Sequence, residues 1–189
     1  MPALPKTSDA EVVRAARRLI ERDGEAALSM QAVAAAVGVR APSLYKRFAT
    51  RDALLEAVAA QALDELRAAL TAAARTRSPA LDLAAMARAY RAFARRSPRL
   101  YALVFTGQPP DAAEAQRVRA AAANPVLARL TALVDEERVL PAARLLTAFL
   151  HGFVSMELAG AFRLGGSVDD AFTFGVDTLL AALSPPRAR

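Results

Sequence analysis

Arg40, Ser43, Tyr45, Lys46 and Arg51 gather cations and hydroxyls into one short stretch. These groups recognise nucleic acid. A guanidinium pairs with guanine, a hydroxyl serves several bases, and ammonium and phenol groups hold phosphates. On this chemistry Arg40 and Ser43 are the candidate base contacts. Tyr45, Lys46 and Arg51 are candidate phosphate contacts, and Gln31 is placed for a base or a phosphate. Ser29 and Ala41, which open the two short helices described next, complete the candidate interface. Other chemistry is scarce. With one His and no Cys, there is no thiol nucleophile, disulfide frame or cysteine-ligated metal. No carboxylate–histidine spacing suits a metal, so no metal or cofactor is expected. Nothing flags a Ser–His pair, and the chain does not read as an enzyme.

These residues need a scaffold, and residues 29–48 supply the pattern of one. Ser29 can cap a helix whose Met30, Val33, Ala34 and Val37 share a face. Gly38 stands where that helix must stop. Pro42 suits the first turn of a second helix running to Phe48. Leu44 and Phe48, four apart, form its buried edge and leave a basic, hydroxyl-bearing outer face suited to a major groove. Upstream, Ser8 and Glu11 form a capping-box pattern. The helix they open carries Val12, Ala15, Ala16, Leu19 and Ile20 on one face and ends at Gly24. Its Arg14, Arg17 and Arg18 lie off that face, either solvated or against phosphate.

Gly38-Val39, Ser43-Leu44-Tyr45 and Phe48, then Arg51 and Leu54-Leu55, resemble the signature of the TetR family of bacterial transcription regulators. The resemblance runs without a gap over roughly residues 8–56. One position departs from it. Residue 40, often a Ser or Thr cap in the family, is Arg40, so base preference does not carry over. Further on, His151-Gly152 followed by Met156-Glu157-Leu158 resembles a subgroup of C-terminal sensing domains with a His-Gly pair.

Length and composition agree with an all-α chain of about nine helices. Ala supplies 48 of 189 residues, which favours helix, and no strand-like alternation appears. The expected division is a helix-turn-helix DNA-binding domain of three helices at 1–51 and a larger ligand-binding and dimerisation domain at 52–189. Residues 1–51 carry nine Lys/Arg against five Asp/Glu, and residues 52–189 sixteen against fourteen. The excess positive charge is thus concentrated at the helix-pair end. Residues 1–7 read as a loose arm. No apolar run approaches a membrane span and no signal segment leads the chain, so a cytoplasmic protein is expected.

In the larger domain a fourth helix, capped by Thr50, runs to about Ala74 and could act as a lever between the domains. A fifth opens at Ser78-Pro79 and breaks at Ser97-Pro98, and a sixth spans Arg99 to Phe105. Gly107-Gln108-Pro109-Pro110 reads as a loop. The seventh begins near Asp111, with Asn124-Pro125 expected to kink or split it. The eighth is expected from Pro141 to about Leu164-Gly165-Gly166, and the ninth from Ser167 to Ser184-Pro185-Pro186.

The eighth helix is apolar nearly all round and must be covered all round. Its small residues Ala148, Gly152, Ser155 and Ala159, with Gly175, Thr178, Leu179 and Ala182 on the ninth, predict a symmetric homodimer joined as a four-helix bundle, the alternative being that they pack within the monomer. The resemblance implies the same arrangement. It also places Met86, Tyr90, Phe93, Tyr101, Phe105, Phe149 and Phe153 around an internal cavity for a mostly apolar or aromatic effector. His151 and Glu157 are the polar candidates there, His151 with the alternative of a structural role.

The expected function is a ligand-responsive regulator of transcription. A dimeric repressor would hold a palindromic operator on double-stranded DNA until a small molecule releases it. Repression is implied by the resemblance alone. The competing readings are a helical small-molecule carrier or enzyme with a basic head, and a non-specific architectural DNA binder.

Overall fold

A computed structural model describes residues 7–105 and 113–184. Expectations for the arm at 1–6, the loop at 107–110, the helix start at Asp111 and the Pro185-Pro186 stop fall outside those residues. The described residues form nine α-helices and one 3-10 turn, without strands.

Local chemistry sets most boundaries. α1 (Asp9–Asp23) opens on a complete capping box. The Ser8 hydroxyl accepts from the Glu11 N–H at 3.3 Å, and the Ser8 N–H donates to the Glu11 carboxylate at 2.7 Å. Gly24, at φ +91°, ends it. After the turn Glu25–Ala27, Ser29 caps α2 (Met30–Ala36) by accepting from the Ala32 N–H at 3.1 Å. Gly38 turns the chain at φ +72°, a left-handed conformation costly for any residue with a Cβ. α3 (Ala41–Tyr45) follows with Pro42 in its first turn. It is shorter than expected. The N–H groups of Arg47 and Phe48 both donate to the Leu44 carbonyl, and the chain leaves the helix as a tight turn. Arg40, at the cap position, makes no capping bond, as its loss of a short hydroxyl side chain requires. Thr50 accepts from the Ala53 N–H at 3.0 Å and opens α4 (Arg51–Ala73).

α5 (Pro79–Arg96) and α6 (Pro98–Phe105) are separated at Ser97 as expected. α7 (Ala113–Thr131) runs on through Pro125, so of the expected kink or split the split does not occur. α8 (Glu136–Leu158) begins before Pro141 and stops well short of Leu164. Gly160, at φ +64°, stops it. The Ala161 N–H donates to the Met156 carbonyl and the Gly160 N–H to the Glu157 carbonyl, the paired bonds of a Schellman end. α9 (Val168–Leu183) is capped by the Ser167 hydroxyl, which accepts from the Asp170 N–H at 3.1 Å.

Packing gathers these helices into two compact units, Met1–Asp64 with Ser97–Arg119, and Glu65–Arg96 with Ala120–Arg189. The division differs from the expected one at 51/52, because α6 packs on α1 while α4 supplies residues to both units. The first core holds Val12, Ala16, Ile20, Val33, Leu44, Leu54 and Leu100. The Glu21 carboxylate accepts from the Leu100 N–H at 3.0 Å, and Arg99 donates to the Glu21 carbonyl at 3.2 Å. In the second unit α5 packs on α8 and α9 around Leu83, Met86, Phe93, Leu146, Val154, Phe172 and Val176. By length and composition α8 could cross a membrane, contrary to expectation. Here Ala142, Leu146, Leu150 and Val154 are buried in the unit, while Leu145 and Met156 remain 48% and 49% exposed. That apolar character marks a helix covered on one side within its own chain.

Candidate nucleic-acid interface

Leu44 anchors the recognition segment. It is 1% exposed, and truncating such a side chain to Ala costs about 2–5 kcal/mol. Phe48 is only half-buried. With Leu44 turned inward, Arg40, Ser43, Tyr45 and Lys46 stand at the surface, Tyr45 at 52% exposure. Arg40 and Lys46 make no side-chain hydrogen bond or ion pair among the described residues. Gln31 is exposed on α2, and Ala41 is half-buried at the start of α3. Ser29 is half-buried with its hydroxyl committed to the cap.

Arg51 differs from the other candidates. Its guanidinium donates to the Leu28 carbonyl at 2.9 Å and the Glu25 carbonyl at 2.8 Å, and it lies 3.5 Å from the Glu25 carboxylate. It therefore ties the α1–α2 connection to the start of α4. Arg47 is likewise committed, to Asp9. Neither pairing shows in local sequence, because the partners are distant along the chain.

The expected effector lining divides between the units. Tyr101, buried, and Phe105, half-buried, belong to the first unit, with ring centroids 4.9 Å apart. Met86, Tyr90 and Phe93 are buried in the second. Met86 also lines an open groove of about 440 Å³ with Arg67, Thr71, Asn124, Pro125 and Arg129. Phe149, His151, Phe153 and Glu157 are half-buried on α8. Phe149 and Phe153 pack with Phe172, at 6.3 and 5.2 Å between centroids.

Glu157 has a partner the sequence reading missed. Arg91 donates to its two carboxylate oxygens at 2.7 and 2.6 Å and reaches Asp169 at 2.7 Å. The same guanidinium lies 4.7 Å over the Phe172 ring. Bonding to Glu157 raises the Arg91 pKa further, against the pull of burial. The network fastens α5 to the end of α8 and the start of α9, so Glu157 is already spent on a structural bond. A signal for it existed, since Arg91 falls at helical spacing with the buried Ala84, Ala87 and Ala94. A second such node joins α5 to α7. Asp82, 1% exposed, accepts from the Thr76 N–H and hydroxyl at 2.8 and 2.9 Å, with Arg129 at 3.0 Å.

Of the expected dimer residues, Ala148, Gly152, Ala159, Thr178 and Ala182 are exposed, and Ser155 and Leu179 are half-buried. Gly175 serves its own chain. A Cβ there would run into the Phe149 ring, so its small size lets α9 close on α8. Phe174 on α9, 74% exposed, joins Leu145 and Met156 on α8 among the large apolar side chains left exposed.

Two family models match the chain. Residues 12–58 match "Bacterial regulatory proteins, tetR family", and residues 83–179 match "Tetracyclin repressor-like, C-terminal domain". A helix-turn-helix-type transcriptional regulator of Mycobacterium tuberculosis is 32% identical over 158 residues, covering 82% of this chain and 72% of that one. A protein of unknown function from Rhodococcus sp. RHA1 has a TM-score of 0.85 at 26% identity, over 98% of this chain and all of its own. The TetR Q116A variant of Acinetobacter baumannii AYE, solved with minocycline, has a TM-score of 0.68 at 23% identity, over 94% and 96% of the two chains. With an N-terminal match over the helix pair and a C-terminal match over half its length, the chain belongs to the TetR family of ligand-responsive, DNA-binding transcriptional regulators.

Proposed function

We propose that this regulator is a dimeric repressor that leaves a palindromic operator when a mostly apolar small molecule binds its larger domain. The observation that carries the reading is the exposed set Arg40, Ser43, Tyr45 and Lys46 held over the buried Leu44. Arg40 and Ser43 read bases, Tyr45 and Lys46 hold phosphates, and Gln31 adds a contact from α2. Arg51 supports this surface by bracing it.

Exposed Leu145, Met156 and Phe174 beside Ala148, Gly152, Thr178 and Ala182 support pairing of α8 and α9 with a second copy. The pair presents two recognition helices to successive major grooves, about one helical turn or somewhat more apart. Met86 and the aromatic residues of α5 and α8 support an apolar or aromatic effector, and the A. baumannii TetR variant solved with minocycline supports a small molecule as the effector. The effector acts by binding more tightly to the state whose heads no longer match the grooves. The protein works where the chromosome is, in the cytoplasm, and catalyses no reaction.

Footprinting of the DNA flanking the protein's own gene tests this reading. A protected palindrome that weakens steeply with salt and disappears in Tyr45→Ala/Lys46→Ala is expected. Uniform coating indifferent to the double substitution would overturn specific repression in favour of architectural binding.

A further inference from the structure

The arginines of the N-terminal unit fall into two sets. Arg22 pairs with Asp23 at 2.6 Å, Arg47 with Asp9, Arg51 with Glu25, and Arg99 with the Glu21 carbonyl. Arg14, Arg18 and Arg40 make no such bond among the described residues. All three line one cleft of about 940 Å³ between α1 and the α2–α3 turn. Arg14 and Arg18 lie four apart on α1, so they share a face and repel one another. The opposite wall is the turn at Gly38, running on to Arg40 and Ser43. No Cβ obstructs the cleft at Gly38, and nothing lies within 4 Å of where one would be. Glu11 is the acidic residue lining it; one carboxylate oxygen accepts from the Ser8 N–H and hydroxyl at 2.7 and 3.0 Å, and its charge offsets part of that of Arg14.

Three guanidinium groups against one carboxylate leave the cleft net positive, although Arg14 is partly balanced by Glu11, and an anion entering it relieves their mutual repulsion. Duplex DNA carries a phosphate charge about every 1.7 Å along its axis. Two residues of this cleft, Arg40 and Ser43, are those placed to read bases, so the phosphates flanking those bases must pass close by. We propose that the cleft is a second backbone-phosphate site, in which Arg14 and Arg18 of α1 hold phosphates adjoining the bases contacted by Arg40 and Ser43. The proposal rests on the DNA-binding reading above and extends the footprint onto the first helix.

Fluorescence anisotropy with the full chain and a labelled mixed-sequence duplex of about 30 base pairs, titrated over a series of salt concentrations, tests it. Each lost phosphate contact reduces the slope of log affinity against log salt by about 0.9. Arg14→Gln/Arg18→Gln should therefore reduce it by about 1.8 per protomer and weaken binding roughly eightfold per contact near 0.1 M salt. Arg14→Lys/Arg18→Lys keeps the charges and should restore the slope. Arg22→Gln/Arg88→Gln removes the same charge elsewhere and should leave the slope unchanged. Arg14, Arg18 and Arg22 are exposed on α1 and Arg88 is exposed on α5, so circular dichroism should show all these variants folded. If Tyr45→Ala/Lys46→Ala weakens binding while Arg14→Gln/Arg18→Gln keeps the wild-type slope, the cleft is not a phosphate site and the regulator reading stands. An equal loss in Arg22→Gln/Arg88→Gln would also overturn the site, leaving only net charge. Failure of the wild-type chain to bind any duplex at low salt would overturn both.

Discussion

Replacing Glu157 by Ala should destabilise the larger unit without any effector present. The substitution removes both carboxylate oxygens that hold Arg91, at 2.7 and 2.6 Å. The side chains of that pair are 10% and 15% exposed, so little water is available to replace the lost partner. Breaking a buried ion pair from one side costs about 3–5 kcal/mol, because the remaining charge is stranded. Asp169 stays 2.7 Å from Arg91 and compensates in part, but its own side chain is 73% exposed. A net loss of about 2–3 kcal/mol is therefore expected, which for a chain of this size lowers Tm by about 4–12 °C. Thermal and urea unfolding followed by circular dichroism read it directly. Arg91→Met/Glu157→Gln replaces the pair by neutral groups of similar volume and should recover most of the loss. A Glu157→Ala protein that melts within about 1 °C of wild type, yet no longer responds to effector, would refute the reasoning and return Glu157 to the effector site.

Asp82 gives the chain an acid-sensitive joint. Burial opposes its ionisation, but donation from Thr76 and the nearby Arg129 hold its pKa below the usual 3.8. A pKa lower in the folded than in the unfolded chain contributes stability above the ordinary carboxylate value, and that stability is lost as pH falls through the folded value. Asp82→Asn should thus lower Tm at neutral pH and flatten its decline below about pH 4, as followed by thermal melts across pH. Arg51 and Lys46 should separate support from contact. Arg51→Ala loses two carbonyl bonds and should lower Tm. Lys46→Ala should leave Tm unchanged and remove about 0.9 from the salt slope per contact.

What was legible in advance was the information carried by short segments. Ser8, Ser29, Thr50 and Ser167 each sit where a hydroxyl accepts from an N–H three residues on, and the helix starts follow. Boundaries differ where proline is tolerated within a helix or a glycine ends one. Pro125 and Pro141 lie inside helices, whereas Gly160 carried the true end of α8. Among the site residues, the exposed face of α3 could be read from Leu44 and its spacing. The duty of Arg51 could not, since its carbonyl partners come from the distant α1–α2 connection. Nor could that of Glu157, whose partner lies on α5.

The helix caps, the helix-turn-helix and the face that α3 turns outward are set locally, because each rests on interactions between residues a few positions apart. Which charges are available to a ligand depends instead on how the folded chain brings distant segments together. Arg51, Arg47 and Arg91 look like Arg14, Arg18 and Arg40 on a list of residues, and all six are cationic. The first three are neutralised by carboxylates and carbonyls from elsewhere in the chain, and the last three converge on an open cleft. An ion pair between distant segments depends on where the whole backbone carries its two ends, and no local pattern encodes that distance.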